Sequence, residues 1–162
     1  MRQLIRSSLI LGRVTMAEVT RKELLMMING STKPRLAGVD LSTLDMSRLD
    51  LENANLRGAN LQRANLSEAI LRSTNMTGVA MVGAQAAAAD FHSAILVAAD
   101  MTLANLVGAR LTNANLTNVN LSGANLQNAD LSGANVTGVR FDEATTWPDG
   151  KKGSKGTPAS YT

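Results

Sequence analysis

Few residues in this chain could carry chemistry. His92 is the single histidine and there is no cysteine, so thiolate nucleophiles, disulfides and Cys-ligated zinc are excluded outright. A hydrolytic triad or a transition-metal site needs several such groups converging, and one imidazole is not enough. Asp142 and Glu143 form an acidic pair that reads as solvated charge. No G-x-x-x-x-G-K-[ST] loop is present to cradle a phosphate. The expectation is that the chain is not an enzyme and has no catalytic, cofactor-binding or metal-binding residues.

Composition supports that reading. The chain has 162 residues, 44% of them apolar, yet only 2% are aromatic. Aromatic rings bury the most area per residue, so a core of Leu, Ala, Val and Met is expected to be thin and repetitive. The net charge of +3 hides a segregation: residues 36–144 hold ten acids and six arginines, while the excess of base lies in the two ends. Neither region has the dense single-signed charge of a nucleic-acid groove, and no nucleic-acid partner is expected. No run of about twenty apolar residues exists to span a bilayer.

The elements that position these side chains come from a repeat. From Leu36 to Phe141 every fifth residue is apolar, fourteen of twenty-two being Leu. The residue two before each is small, most often Ala, and the one just before is Asn or Asp in fifteen of twenty-one cases from Asp40 to Arg140. A period of five fits neither the 3.6 of a helix nor the 2.0 of a strand. It fits a short extended side followed by a corner, with Gly, Asn and Ser as the turn formers. Four sides close a coil of twenty residues. The large and small apolar residues then point to the axis, and the other three point out.

This pattern, best seen in ANLTNVNLSGANLQNADLSGANV at 114–136, resembles the A-(D/N)-L-x-x repeat of the pentapeptide repeat family. The resemblance implies an all-β fold, a right-handed quadrilateral β-helix of about five and a half coils. At roughly 4.8 Å per layer, such a rod would be about 26 Å long. The ending ATTWPDG is similar to C-terminal segments of cyanobacterial members. The resemblance also implies an interaction role, as a non-catalytic protein–protein scaffold or adaptor. An alternative within the family is mimicry of DNA to bind DNA gyrase, the quinolone-resistance type. That requires a dense acidic face, whereas the column Asp50, Ile70, Asp90, Arg110, Asp130 alternates in sign.

The ends divide the chain further. Residues 1–16 read as an unstructured leader. Arg2, Arg6 and Arg13 alternate there with Leu4, Ile5, Leu9, Ile10 and Leu11, a pattern also open to a targeting segment or to membrane-surface contact through residues 1–15. Met16 would serve as a natural first residue. Residues 17–33 read as an N-terminal capping helix: Thr20-Arg-Lys-Glu23 is a capping box, LLMMIN follows, and Gly30 stops the helix. Leu24, Leu25 and Ile28 are expected to cover the first coil. Residues 34–144 form the solenoid and 145–162 a C-terminal cap and flexible tail. Phe141, Trp147 and Pro148 would cover the last coil. The expected location is the bacterial cytoplasm.

The outward positions of the middle coils carry the candidate site. Ile70, Ala80, Val82, Ala87, Ala88, Ile95, Val97, Leu103 and Val107 are apolar where Ser, Thr or Asn stand elsewhere. By the twenty-residue coil, Val82 and Leu103 share one side and Ala87 and Val107 the next, so these four are proposed as a partner surface across one corner. Contiguous exposed apolar area often marks such a surface. The partner is an unidentified protein, and self-association at the coil ends or through this patch remains open.

Ala86 interrupts its column of large residues between Leu66 and Leu106. The neighbouring Phe91 is expected to fill the gap. Phe91→Ala should then lower the melting temperature clearly more than Leu111→Ala; equal losses would remove that role from the ring.

Overall fold

The computed structural model describes residues 19–162. The leader, with its targeting or membrane-contact reading, lies outside the described residues. Among those described, no helix is long and apolar enough to cross a membrane.

The repeat region is a stack of four-sided coils. Every fifth residue from Arg35 onward makes a parallel bridge to the residue twenty positions later, as in Arg35 with Asn55, Asn55 with Asn75, and so on to Asn120 with Arg140. We number the sides by their bridged residues: the first carries 35/55/75/95/115/135, the second 40/60/80/100/120/140, the third 45/65/85/105/125, and the fourth 50/70/90/110/130. The bridges are isolated ones, and no continuous strand forms among the described residues. The all-β expectation therefore needs one correction. Each side is too short for a strand, because the chain turns again after three residues.

Three backbone bonds per side tie each coil to its neighbours. On the first side, Asn55 N–H donates back to Pro34 O at 2.8 Å, Leu36 N–H donates forward to Asn55 O at 2.8 Å, and Gly38 N–H to Arg57 O at 2.9 Å. Within the coil, Val39 N–H closes the corner onto Leu36 O at 3.2 Å. That closure needs a residue with positive φ at the third corner position. All twenty-one such positions from 38 to 138 have it, between +53° and +70°. At Gly58 (φ +64°) nothing stands within 4 Å of a would-be Cβ, so the backbone angle and not space explains the glycine.

The bore is filled. Every central residue from Leu36 to Leu131 is buried, with Ala at most of the small sites beside it. Thr74 replaces Ala at one small site and satisfies its hydroxyl by donating to Leu71 O at 2.7 Å. No buried side-chain nitrogen or oxygen among the described residues lacks a partner.

The ends are closed by different means. Helix α1, Arg21–Asn29, has the capping box in full: Thr20 Oγ1 accepts from Glu23 N–H and Glu23 Oε2 accepts from Thr20 N–H at 2.8 Å. Leu24 is buried and Ile28 partly buried against the core, as their i, i+4 spacing dictates. Leu25 is the exception to the expected trio. It lies a third of a turn away and faces solvent with Met26 and Met27. Gly30 ends α1 in a right-handed conformation, φ −89°. The Arg21 guanidinium donates to Asp45 O and to Ser47 O, two carbonyls that a preceding coil would otherwise bind.

At the other end the five-residue register slips. Asn125 bridges Thr146, twenty-one residues on, so one residue is extra and Trp147 takes the next core position of the third side. Asp142 absorbs the slip, its carboxylate accepting from Gly123 N–H at 2.9 Å and from the N–H groups of Ala144 and Thr145. Trp147 is fully buried, edge-on to Phe141 at 5.1 Å and stacked on Tyr161 at 5.9 Å, with Nε1–H donating to Gly153 O at 2.8 Å. Residues 151–162, expected as a flexible tail, instead pack here through 3₁₀ turns at Gly153–Lys155 and Pro158–Tyr161. The reason is Tyr161, an aromatic anchor at the end of a polar segment.

Asp149 holds that tail. Its carboxylate accepts from Lys151 Nζ at 2.6 Å, Lys151 N–H at 3.0 Å and Tyr161 Oη–H at 2.9 Å, and the lysine bonds above all lower its pKa to about 2. A carboxyl depressed in the folded state stabilises fully above its unfolded pKa, about 3.9, and loses that contribution as pH falls through the folded value. The tail should therefore loosen between pH 4 and about 2, reported by Trp147 fluorescence. Asp149→Asn should show the loosened signal already at neutral pH; a flat profile from pH 6 to 2 would contradict this anchoring.

Candidate interaction surface

One donor in each pentapeptide has no place in the stacking ladder: the N–H of the residue just after the central one. It is served locally. At all fifteen Asn and Asp residues that precede a central residue, Oδ1 accepts from the N–H two residues on, at 2.9–3.2 Å. This is the physical content of the (D/N)-L dipeptide, an Asx turn that saturates the corner. Often the following hydroxyl joins in, as Thr117 Oγ1–H does to Asn115 at 2.6 Å.

The rule lapses in the middle of the rod. Ile70, Ala80, Gln85, Ile95 and Arg110 stand where Asn or Asp would, and the N–H groups of Arg72, Val82, Ala87, Val97 and Thr112 have no acceptor among the described residues. Gln85 shows why one more methylene matters. Its amide bonds Gly83 O at 3.2 Å and Asn105 Nδ2 at 3.2 Å and leaves Ala87 N–H free.

The four residues proposed as a partner surface lie in this region. Val82 and Leu103 occupy the corner after the second side, and Ala87 and Val107 the corner after the third. Leu103 is 63% exposed, while Val82, Ala87 and Val107 are half-buried. Leu103 runs along its corner toward the next coil, where a Cβ on Gly123 would come within 2.6 Å of Leu103 Cδ2. Apolar surface continues past Ala80 to Val97 and Ile95, the last 43% exposed. What the four-residue reading lacks is the row of free amides. Their signal was available in the sequence as the missing Asn or Asp.

The other candidate groups have structural employment. His92 lies half-buried on the fourth side, with Nδ1 2.7 Å from Thr112 Oγ1, which also accepts from Arg110 Nε at 3.1 Å. Asp90 Oδ2 sits 2.6 Å from Arg72 Nε and 3.5 Å from an Arg110 nitrogen. Burial would raise the Asp90 pKa, but the His92 N–H and the Arg72 guanidinium outweigh it and hold the carboxyl below its ordinary value. Asp142 is the register cap already described, and its pKa is lowered chiefly by the Gly123 N–H. No group of three or more His, Cys, Asp or Glu among the described residues could hold a metal ion. A surface depression of about 200 Å³, lined by Ser42, Thr43, Asn60, Gln62 and Arg63, brings no acid or imidazole together with its arginine.

The model of the pentapeptide repeats matches in eight copies, in segments that together run from residue 35 to 142. The chain belongs to the pentapeptide repeat family. Membership implies the right-handed β-helix. No curated protein matches the chain. Among solved structures it is similar to the pentapeptide repeat protein Rfr23 from the cyanobacterium Cyanothece 51142, at 28% identity over 76% of this chain and 96% of that one, TM-score 0.49. It is also similar to HetL from the cyanobacterium Nostoc sp. strain PCC 7120, a protein involved in heterocyst differentiation regulation, at 30% identity over 73% of this chain and 63% of HetL, TM-score 0.43. QnrB1, a plasmid-mediated fluoroquinolone resistance protein, matches at 19% identity over 68% of this chain and 82% of QnrB1, TM-score 0.33.

Removing an Asx cap isolates its worth. Asn115→Ala frees the Thr117 N–H and hydroxyl at a regular corner and should lower unfolding free energy by about 1 kcal/mol, the usual size of one net hydrogen bond. Denaturant unfolding measures it, and an unchanged midpoint would show that water serves the amide equally well.

Proposed function

We propose that this pentapeptide repeat protein is a non-catalytic scaffold or adaptor, a right-handed four-sided β-helix of about five and a half coils that presents a mid-rod surface to a protein partner. The observation that carries the reading is the outward apolar stretch through Val82, Leu103, Ala87 and Val107 on a rod whose interior is lined with buried Leu and Ala. A filled bore has no cleft in which reacting groups could converge. It does provide rigid faces, and a rigid face loses little conformational entropy when it binds.

Mimicry of DNA is not favoured. Duplex-like charge needs rows of free carboxylates, whereas Asp90 lies between Arg72 and Arg110, and Glu68 is held by Arg48 at 3.0 Å.

Val107→Lys places a charge in the stretch without touching the core. The variant should keep the wild-type circular dichroism spectrum and melting temperature, yet lose the partner bands that cross-linking from the native cell yields with the unaltered protein. Identical cross-linked species from both proteins would count against this surface.

A further inference from the structure

We propose that the free N–H groups of Val82 and Ala87 anchor an extended acidic–apolar peptide segment of the partner protein, whose carboxylates supply the oxygens that the missing Asn or Asp would have given. The inference rests on the scaffold reading and gives its partner a chemistry.

Two independent features coincide at these corners. The first is unmet donor capacity. Fifteen corners hold their amide with an Asx oxygen, whereas Val82 and Ala87 follow Ala80 and Gln85 and have none. The nearby Arg63, its side-chain stem 3.6 Å from the would-be Cβ of Gly83, is exposed and makes no ion pair or side-chain hydrogen bond among the described residues. The acids at the margin are engaged: Glu68 by Arg48, and Asp100 by Thr102 N–H at 3.1 Å and by the Thr102 hydroxyl. The patch thus offers two unmet donors and the Arg63 guanidinium beside them, against the single carboxylate of Asp100 one layer beyond Ala80. This excess of donors favours an acceptor-rich, anionic partner.

The second feature is the apolar frame. Leu103 and Val107 stand one coil beyond the two amides on the same corners, so a carboxylate bound at either amide has an apolar contact beside it. Apolar surroundings strengthen a charge-assisted bond by excluding water. The two amides lie on consecutive corners, one side of the rod apart, so one carboxylate does not serve both. The five steps from Val82 to Ala87 include the corner that Ala84 N–H closes onto Met81 O, so the amides lie closer than the roughly 17 Å of five extended residues. The proposed segment carries two acidic residues on one face, each with an apolar residue two positions on, because only alternate side chains of an extended chain share a face.

The test restores the family's own cap. Ala80→Asn with Gln85→Asn places an Asx oxygen on each free amide, as at the other fifteen corners, and should leave the protein folded with an equal or higher melting temperature. The probe is a synthetic peptide, Asp-x-Leu-x-Asp-x-Leu, whose two carboxylates lie on one face about 13 Å apart when extended, compared with the same peptide carrying Lys for Asp. Wild type should bind the Asp peptide saturably, with the Val82 and Ala87 amide resonances shifting most in proton–nitrogen spectra. The double variant and the Lys peptide should each weaken binding at least tenfold. Absence of binding to wild type overturns the proposal. Binding retained by the double variant but lost in Val107→Lys overturns it too, while leaving the surface as an interaction site. Binding insensitive to both sets of substitutions overturns the proposal and the surface together. Self-association without probe that the double variant abolishes would assign the patch to a second copy of this chain, and that also overturns it.

Discussion

Each side of the rod ends in a residue held near φ +60°, and without that reversal the next large apolar residue could not turn back to the axis. Such backbone costs an ordinary L-residue roughly 1–2 kcal/mol and glycine almost nothing. Only eight of the twenty-one corners are glycine and four are asparagine; the rest include Arg48, Glu68 and Leu103. A chain that accepts this strain repeatedly must recover it by cooperation. Every coil buries its Leu and Ala residues against the coils above and below, and three interlayer backbone bonds per side lock the register. Stability here is a nearest-neighbour sum, as in other solenoids.

The same arithmetic explains why variation is tolerated outside and not inside. Three of five positions face water; one of them must take positive φ, and beyond that they answer to solubility and local hydrogen bonding. The proposed interaction surface is a set of departures from the local rule. The missing Asx residues before Arg72, Val82, Ala87, Val97 and Thr112 cluster in the central coils, and the outward apolar residues cluster there as well. Either departure alone would be a minor irregularity. Together they mark the region proposed as the partner surface.

The ends show how a one-dimensional stack is stopped. An open edge of backbone donors and acceptors invites further pairing. At the start, one guanidinium from α1 replaces two N–H groups of an absent coil at the Asp45 and Ser47 carbonyls. At the finish, Asp142 replaces a backbone carbonyl for Gly123, and Trp147 fills the core position that the repeat has abandoned. Both devices use side chains to imitate backbone, and each closes part of the ladder's open edge.

The inward residues, the coil length, α1 with its capping box, and the outward apolar residues of the middle coils were all legible from the sequence. Periodicity and capping are local, and a twenty-residue closure follows once each pentapeptide makes one corner. The free amides at Val82 and Ala87 were latent in the same pattern, but their meaning required the geometry that gives every other corner an Asx oxygen. Only the tertiary structure decided the one-residue slip after Arg140, the outward turn of Leu25 and the docking of Tyr161 on Trp147. Each depends on contacts between segments brought together by stacking, where a single extra residue or a distant ring outweighs the local repeat.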